Sequence, residues 1–189
     1  MKPFSISTGL AHWAKEMPDQ PAIIEIRSGT QVTFKQLEEE SSLIASGLLH
    51  HGLKKGDRVL VMVPYGVDFV TLTFGLFKAG AVPVLIDPGL GKKNVLHCIK
   101  QSEPQGIIAI PLAHAVKTLI PAPFKSVKLS VTVGRKWFWR GPTLEQIKRN
   151  GNPYYQMNET HEEQEAAVLF TSGSTGPAKG VLYTHGMFD

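Results

Sequence analysis

Six consecutive residues, Thr171-Ser172-Gly173-Ser174-Thr175-Gly176, are all hydroxyl-bearing or glycine, and a lysine, Lys179, follows within three positions. Glycine tolerates positive φ and lets backbone approach a ligand closely, so successive N–H groups of such a loop can converge on an anion. Hydroxyls add uncharged donors, and Lys179 adds a mobile positive charge. Together these groups make a cradle for a polyphosphate. The plainer alternative is a polar glycine run that simply turns the chain.

Three better-known loops do not fit. In the nucleotide-kinase pattern G-x-x-x-x-G-K-[ST], the position five beyond Gly173 should be glycine but is Ala178, and Lys179 is followed by Gly180 instead of Ser or Thr. The dinucleotide fingerprint G-x-G-x-x-G is absent. The hydrolase elbow G-x-S-x-G fails because Phe170 and Ser172 stand where the first glycine would precede the candidate serines.

The loop needs elements to hold it. The apolar run Ala166 to Phe170 has strand length, and Val181-Leu182-Tyr183 is a second strand-like run. Upstream, Ser7 to Met17 has helical spacing, and Ala22 to Arg27 and Gln31 to Phe34 read as a short hairpin turned by Ser28-Gly29-Thr30. Thr33-Phe34-Lys35-Gln36 fits a capping box, with Val32 and Leu37 as a hydrophobic staple, opening a helix to about His51. Val59 to Val63 is a continuous apolar run, as a strand buried on both faces requires. Val67 to Ala79 reads as a helix apolar nearly all round, with Asp68 and Lys78 matched to its dipole. Val82 to Ile86 is the next strand, ending at Asp87-Pro88-Gly89. Helices over 92–101 and 112–119 then alternate with strands over 106–110 and 127–133, and a short helix covers 143–149. This alternation predicts an α/β fold: a mostly parallel sheet with flanking helices and a short N-terminal β-hairpin. Residues 150–165 read as a linker, and Trp137-Phe138-Trp139 as an aromatic knot packed over a sheet edge or under a long loop, with a ligand platform as the alternative.

Composition narrows the function classes. The chain has 189 residues, a hydrophobic fraction of 42% and a charged fraction of 19%, which suit a globular domain with a real core and exclude disorder. The net charge of +4 is spread out, with no basic run longer than two residues, so a nucleic-acid partner is not expected. One cysteine, Cys98, excludes an internal disulfide framework and fits a reducing, cytoplasmic setting; its apolar surroundings mark it as a small buried hydrophobe. His161-Glu162-Glu163 opens like a zinc helix motif, but position 165 is Glu instead of His, so no metal ligand is assigned. His50-His51 sits at a helix end, where cationic side chains meet exposed carbonyls. No signal peptide is read at the N-terminus. The longest apolar stretch, Phe69 to Ile86, is broken by Lys78, Gly80 and Pro83, so no transmembrane segment is expected.

The order Thr171-Ser172-Gly173-Ser174-Thr175-Gly176-x-x-Lys179-Gly180, followed by Tyr183-Thr184-His185, resembles the phosphate-loop signature of the acyl-adenylate-forming (AMP-binding) enzymes. These are the AMP-forming acyl-CoA synthetases, their luciferase relatives and the adenylation domains of peptide synthetases. Val32-Thr33-Phe34, the stretch Leu53 to Val59 and the stretch Phe77 to Val84 are also similar to recurrent segments of that family, so the likeness spans roughly residues 31–185. One position departs: the family usually places proline directly before the lysine, where this chain has Ala178, its proline being Pro177. Gly-Pro-Ala-Lys-Gly is similar to the olefin β-lactone synthetase branch.

The resemblance implies the following. The chain, residues 1–189, is the N-terminal portion of an AMP-binding domain, with the phosphate loop at 171–180 and the remainder of the protein beyond. The parent is an ATP-dependent ligase that adenylates a carboxylic acid, a fatty acid being expected, releases pyrophosphate and passes the acyl group to coenzyme A; the alternative is closure of a 3-hydroxy acid to a β-lactone. A short interaction or regulatory module that keeps the fold is a further alternative. Thr171, Ser172, Gly173, Ser174, Thr175, Gly176 and Lys179 bind the ATP phosphates, with Lys179 as the catalytic charge. Magnesium accompanies ATP, with its ligands outside this chain, and the chain alone is expected to be inactive.

Overall fold

The computed structural model describes residues 6–157, 160–171 and 178–188. After helix α1 (Ile6–Glu16), β1 (Pro21–Glu25) and β2 (Thr30–Thr33) pair antiparallel as a separate hairpin. The main sheet has the order β6-β5-β3-β4-β7-β8. Its strands are β3 (Arg58–Met62), β4 (Val82–Ile86), β5 (Gly106–Ala109), β6 (Leu129–Thr132), β7 (Glu165–Phe170) and β8 (Gly180–Thr184). Neighbours are parallel except β7 and β8. The expected class is therefore observed, and boundaries move by a few residues at most.

The strand order explains how the helices divide. The step from β3 to β4 runs one way along the sheet, and the steps to β5 and then β6 run the other way. With right-handed crossovers, α3 (Val67–Lys78) must then lie on one face, and α4 (Lys92–Ser102) and α5 (Pro111–Leu119) on the other. The buried residues divide accordingly. On the first face Ile44 and Leu48 of α2 (Phe34–His50), Leu72 and Leu76 of α3, and Ile147 of α6 (Leu144–Arg149) pack with Val59, Val61 and Ile108. On the second, Cys98 and Ile99 of α4 and Ala113 of α5 pack with Leu60, Val82, Ile107, Val168 and Phe170. Val59, Leu60 and Val61 alternate between faces because side chains do so along a strand, so a strand covered on both sides reads as a continuous apolar run.

The aromatic knot holds together at the sheet edge, the Trp137 and Phe138 rings lying 5.5 and 5.4 Å from that of Trp139, but only Trp139 is buried. The buried Trp139 finds a partner for its polar group, Nε1 donating to Thr132 Oγ1 at 2.7 Å. The expected linker is held at its start. Asn152 N donates to Ser46 Oγ at 2.7 Å, and a Cβ at Gly151 would stand 2.1 Å from Leu43 O, so the chain lies directly on α2. Past Thr184 comes a 3-10 turn, His185–Phe188.

Candidate functional site

The loop 171–179 joins β7 to β8 at the carboxyl end of the parallel strands. β7 is fixed there by its register on β4, with Val84 opposite Val168 and Ile86 opposite Phe170. β8 returns antiparallel, with Gly180 opposite Phe170. Thr171 leaves β7 exposed, and Lys179 enters β8 exposed, so the two described ends of the loop stand side by side across this pair. Ser172, Gly173, Ser174, Thr175 and Gly176 lie outside the described residues. In open α/β sheets, ligands bind outside the carboxyl ends of the strands, where connections leave in opposite directions.

Contacts at the base of the loop explain two residues. Ala178 is buried in the second core cluster, so the position that precedes the lysine is a packing position. A Cβ on Gly180 would stand 2.7 Å from Phe170 Cζ; glycine there lets the aromatic ring lie against the backbone. Asp87 is a neighbour that the sequence did not connect to the loop. It follows Ile86 directly, and its N–H donates to Phe170 O at 3.0 Å, closing the end of β7. Its Oδ1 accepts from Gly89 N at 2.8 Å and starts the 3-10 turn Pro88–Leu90. Only the register, which needs the pairing of β4 with β7, reveals this juxtaposition.

The tail of the motif does not join the loop. Tyr183, Thr184 and His185 lie at the far end of β8, about 16 Å away at the usual rise per residue. There His185 is buried edge-on against Phe77, ring centroids 5.9 Å apart, and its N–H donates to Gln164 O at 3.0 Å. Burial, with Lys55 adding to it, holds its imidazole below the ordinary histidine range. A cavity of about 430 Å³ also opens at this end, lined by Lys55, Arg58, Glu103 and His185 among others, and so lies away from the loop.

The donor set suits a polyphosphate. From Ala166 to Gly180 the sequence carries hydroxyls, glycine N–H groups and a single charge, Lys179, with no carboxylate. Among the described residues, no three or more His, Cys, Asp or Glu side chains are grouped to hold a metal ion.

A family model described as AMP-binding enzyme matches residues 10–188, nearly the whole chain. The chain belongs to the AMP-binding enzyme family. Similar family members include the olefin β-lactone synthetase of Xanthomonas campestris pv. campestris, 42% identical over 97% of this chain and 35% of that protein. The olefin β-lactone synthetase of Stenotrophomonas maltophilia is 39% identical over 99% of this chain and 36% of its own length. The chain thus spans about a third of the length of these relatives. Among solved structures, the Mycobacterium tuberculosis fatty acyl CoA synthetase aligns with a TM-score of 0.80 at 26% identity, covering 96% of this chain and 34% of that one. Among the described residues, no helix is long and apolar enough to cross a membrane.

Proposed function

We propose that this chain is the N-terminal portion of an ATP-dependent ligase that activates a fatty acid as its adenylate, and that residues 171–180 are its phosphate loop. A carboxylate oxygen of the substrate attacks the α-phosphorus of ATP. The bond from that phosphorus to the bridging oxygen breaks, and pyrophosphate leaves with the electron pair. Negative charge grows on the departing group, so donors held around it stabilise the transition state. That work falls to the hydroxyls of Thr171, Ser172, Ser174 and Thr175, to N–H groups made approachable by Gly173 and Gly176, and to the Lys179 ammonium. Magnesium, bound with ATP, supplies further charge neutralisation. None of the loop residues acts as nucleophile or base. The observation that carries the reading is the family match over residues 10–188, which includes the loop.

For the second half-reaction, the relatives at 42% and 39% identity favour closure of a 3-hydroxyacyl adenylate to a β-lactone, the hydroxyl displacing AMP. Transfer to coenzyme A is supported by the likeness to the fatty acyl CoA synthetase. Pyrophosphate exchange by the full-length protein tests the first step: Lys179→Ala should remove most of it, and near-normal exchange would overturn the assignment. Product analysis with a 3-hydroxy fatty acid, with and without coenzyme A, separates lactone from thioester. The 189-residue chain by itself should support no exchange.

A further inference from the structure

The connection from β6 to α6 has no part in the reaction above, yet it is closely built. Its ends meet at the neck, where Thr132 N donates to Pro142 O at 3.0 Å and Thr132 bridges Thr143. Gly134 and Gly141 turn it at φ 87° and 107°; a Cβ on Gly141 would stand 2.0 Å from Ser130 O. Lys136 Nζ donates across the loop to Gly141 O at 2.6 Å. Trp139 anchors it from below, stacked on the buried His114 with ring centroids 5.3 Å apart. Thus restrained, the loop turns Trp137 and Phe138 outward, 57% and 75% exposed. Large exposed aromatic side chains held by a tied loop are not leftovers of a floppy segment; apolar surface presented in this way marks an interaction site.

The charges around these rings identify the partner. Arg135 and Arg140 flank them and are exposed. Beside them, His51, Lys136 and Arg149 line an open polar cavity of about 450 Å³ with Gln146 and Asn150, and no carboxylate lines it. Across residues 125–150 the sequence has seven Lys or Arg against one acid, Glu145, whereas the whole chain carries a net +4, so the rest of the chain is net acidic. Tryptophan and phenylalanine interleaved with arginine suit the headgroup layer of a bilayer, where the rings enter the acyl boundary and the cations meet anionic headgroups.

We infer that the loop Val133–Pro142 docks the protein on an anionic lipid surface through Trp137 and Phe138, with Arg135, Lys136, Arg140 and Arg149 holding the headgroups. The register places Thr132 level with Ala109, and Phe170 level with Ile86. The loop and the end of β7 therefore share the carboxyl end of the sheet, four strand steps or about 19 Å apart. Docking would turn that end toward the lipid. The inference rests on the loop alone and does not require the adenylation reading.

The test is sedimentation of the intact protein with vesicles of phosphatidylcholine, with and without phosphatidylglycerol. Binding should require phosphatidylglycerol and weaken with salt. Trp137→Ala with Phe138→Ala, and separately Arg135→Gln with Arg140→Gln, should each lower the partition coefficient by at least roughly tenfold. The arginine pair should leave the unfolding midpoint nearly unchanged, and the aromatic pair should lower it only slightly, its rings being exposed apart from their contact with Trp139. The inference is overturned by wild-type binding of the aromatic variant, by equal binding to neutral vesicles, or by no binding to anionic ones. It is also overturned if poly(U) binds as well as the vesicles and competes regardless of Trp137 and Phe138, which would mark the patch as an RNA surface. Shielding of Trp137 from a soluble quencher in the lipid-free protein would show that the protein's own remainder covers the loop, and would overturn the inference equally.

Discussion

The Lys78 ammonium, in the last turn of α3, sits 2.7 Å from Glu38 Oε1 in α2, and it also donates to Glu38 O and Ser42 Oγ at 2.8 Å each. Lys78 is only 3% exposed, so a residue that the sequence places at a helix end to suit the dipole is in fact a buried tie between two helices. Burial holds its pKa below the ordinary lysine range, against the raising effect of Glu38. Removing one partner of a buried pair leaves the other charge uncompensated, which costs more than replacing both by apolar groups. Lys78→Ala should therefore lower stability by about 3 kcal/mol in urea unfolding, and the double variant Lys78→Met with Glu38→Leu by clearly less. Equal losses for the two would disprove the pairing.

Acid should weaken the fold through two buried histidines. His114, whose Nε2 lies 3.0 Å from Val131 O, and His185 are both held below the ordinary value of 6.5, chiefly by burial. Below pH 6.5 the unfolded chain takes up protons that the folded chain refuses, so stability falls as pH drops through that value. Above it both states are neutral and this contribution is constant. Unfolding midpoints measured between about pH 8 and pH 5 should show the decline, and His185→Asn should make it shallower. An unchanged slope in that variant would show that His185 contributes nothing to the decline.

Helix caps test how locally the fold is specified. Thr33 accepts from Gln36 N while Gln36 accepts from Thr33 N, the capping box expected for α2. Thr143 and Gln146 repeat it at α6. Thr33→Ala and Thr143→Ala should each cost about 1 kcal/mol in chemical unfolding. Neither should alter pyrophosphate exchange by the full-length protein, because neither cap lies at the carboxyl end of β7.

What is legible in the sequence follows the range of each interaction. The Thr33 box, the two-sided apolar strands and the hydroxyl-glycine run are local patterns, and all can be read directly. The partnership of Asp87 with the end of β7 cannot, because it depends on β4 and β7 pairing residues 84 positions apart, as Val84 with Val168. The same holds for Lys78 with Glu38, and for Asn152 on Ser46. The aromatic triplet is opaque for a related reason: Trp137, Phe138 and Trp139 are all large aromatic side chains, and tertiary contacts, Trp139 stacked on His114 and bonded to Thr132, decide which one is inside.

Close helix approach gives a further prediction. A Cβ added at Gly47 in α2 would stand 2.1 Å from Ile147 O of α6, and one at Gly75 in α3 would stand 2.6 Å from Ile44 Cγ2. The first obstacle is a backbone carbonyl; the second is the fully buried Ile44, whose Cβ also stands 2.9 Å away and is fixed to α2, so both sites overpack and the closer backbone contact costs more. Gly47→Ala should therefore cost about 3 kcal/mol and Gly75→Ala somewhat less, about 2 kcal/mol, in urea unfolding. The reverse order would mean that α6 gives way more easily than the packed Ile44.

The proposed phosphate loop can be disturbed from below without touching a donor. Gly180 pairs with Phe170, and a Cβ there would stand 2.7 Å from Phe170 Cζ. The ring can shift, but it belongs to the core cluster that also holds Ala178, and its own carbonyl accepts the Asp87 N–H. Displacement at this pair moves Thr171 and Lys179 relative to each other, because each adjoins one member of it. If the loop donors serve adenylation as proposed, a shift of about an ångström can cost about a hundredfold in exchange rate. Gly180→Ala in the full-length protein should thus lose exchange by one to two orders of magnitude, with a stability loss of only about 1–2 kcal/mol from overpacking. Measured together, exchange rate and urea midpoint distinguish the two effects: a large rate loss with a small midpoint shift supports a positional role for the pair, and a midpoint collapse with a proportionate rate loss would reduce it to packing.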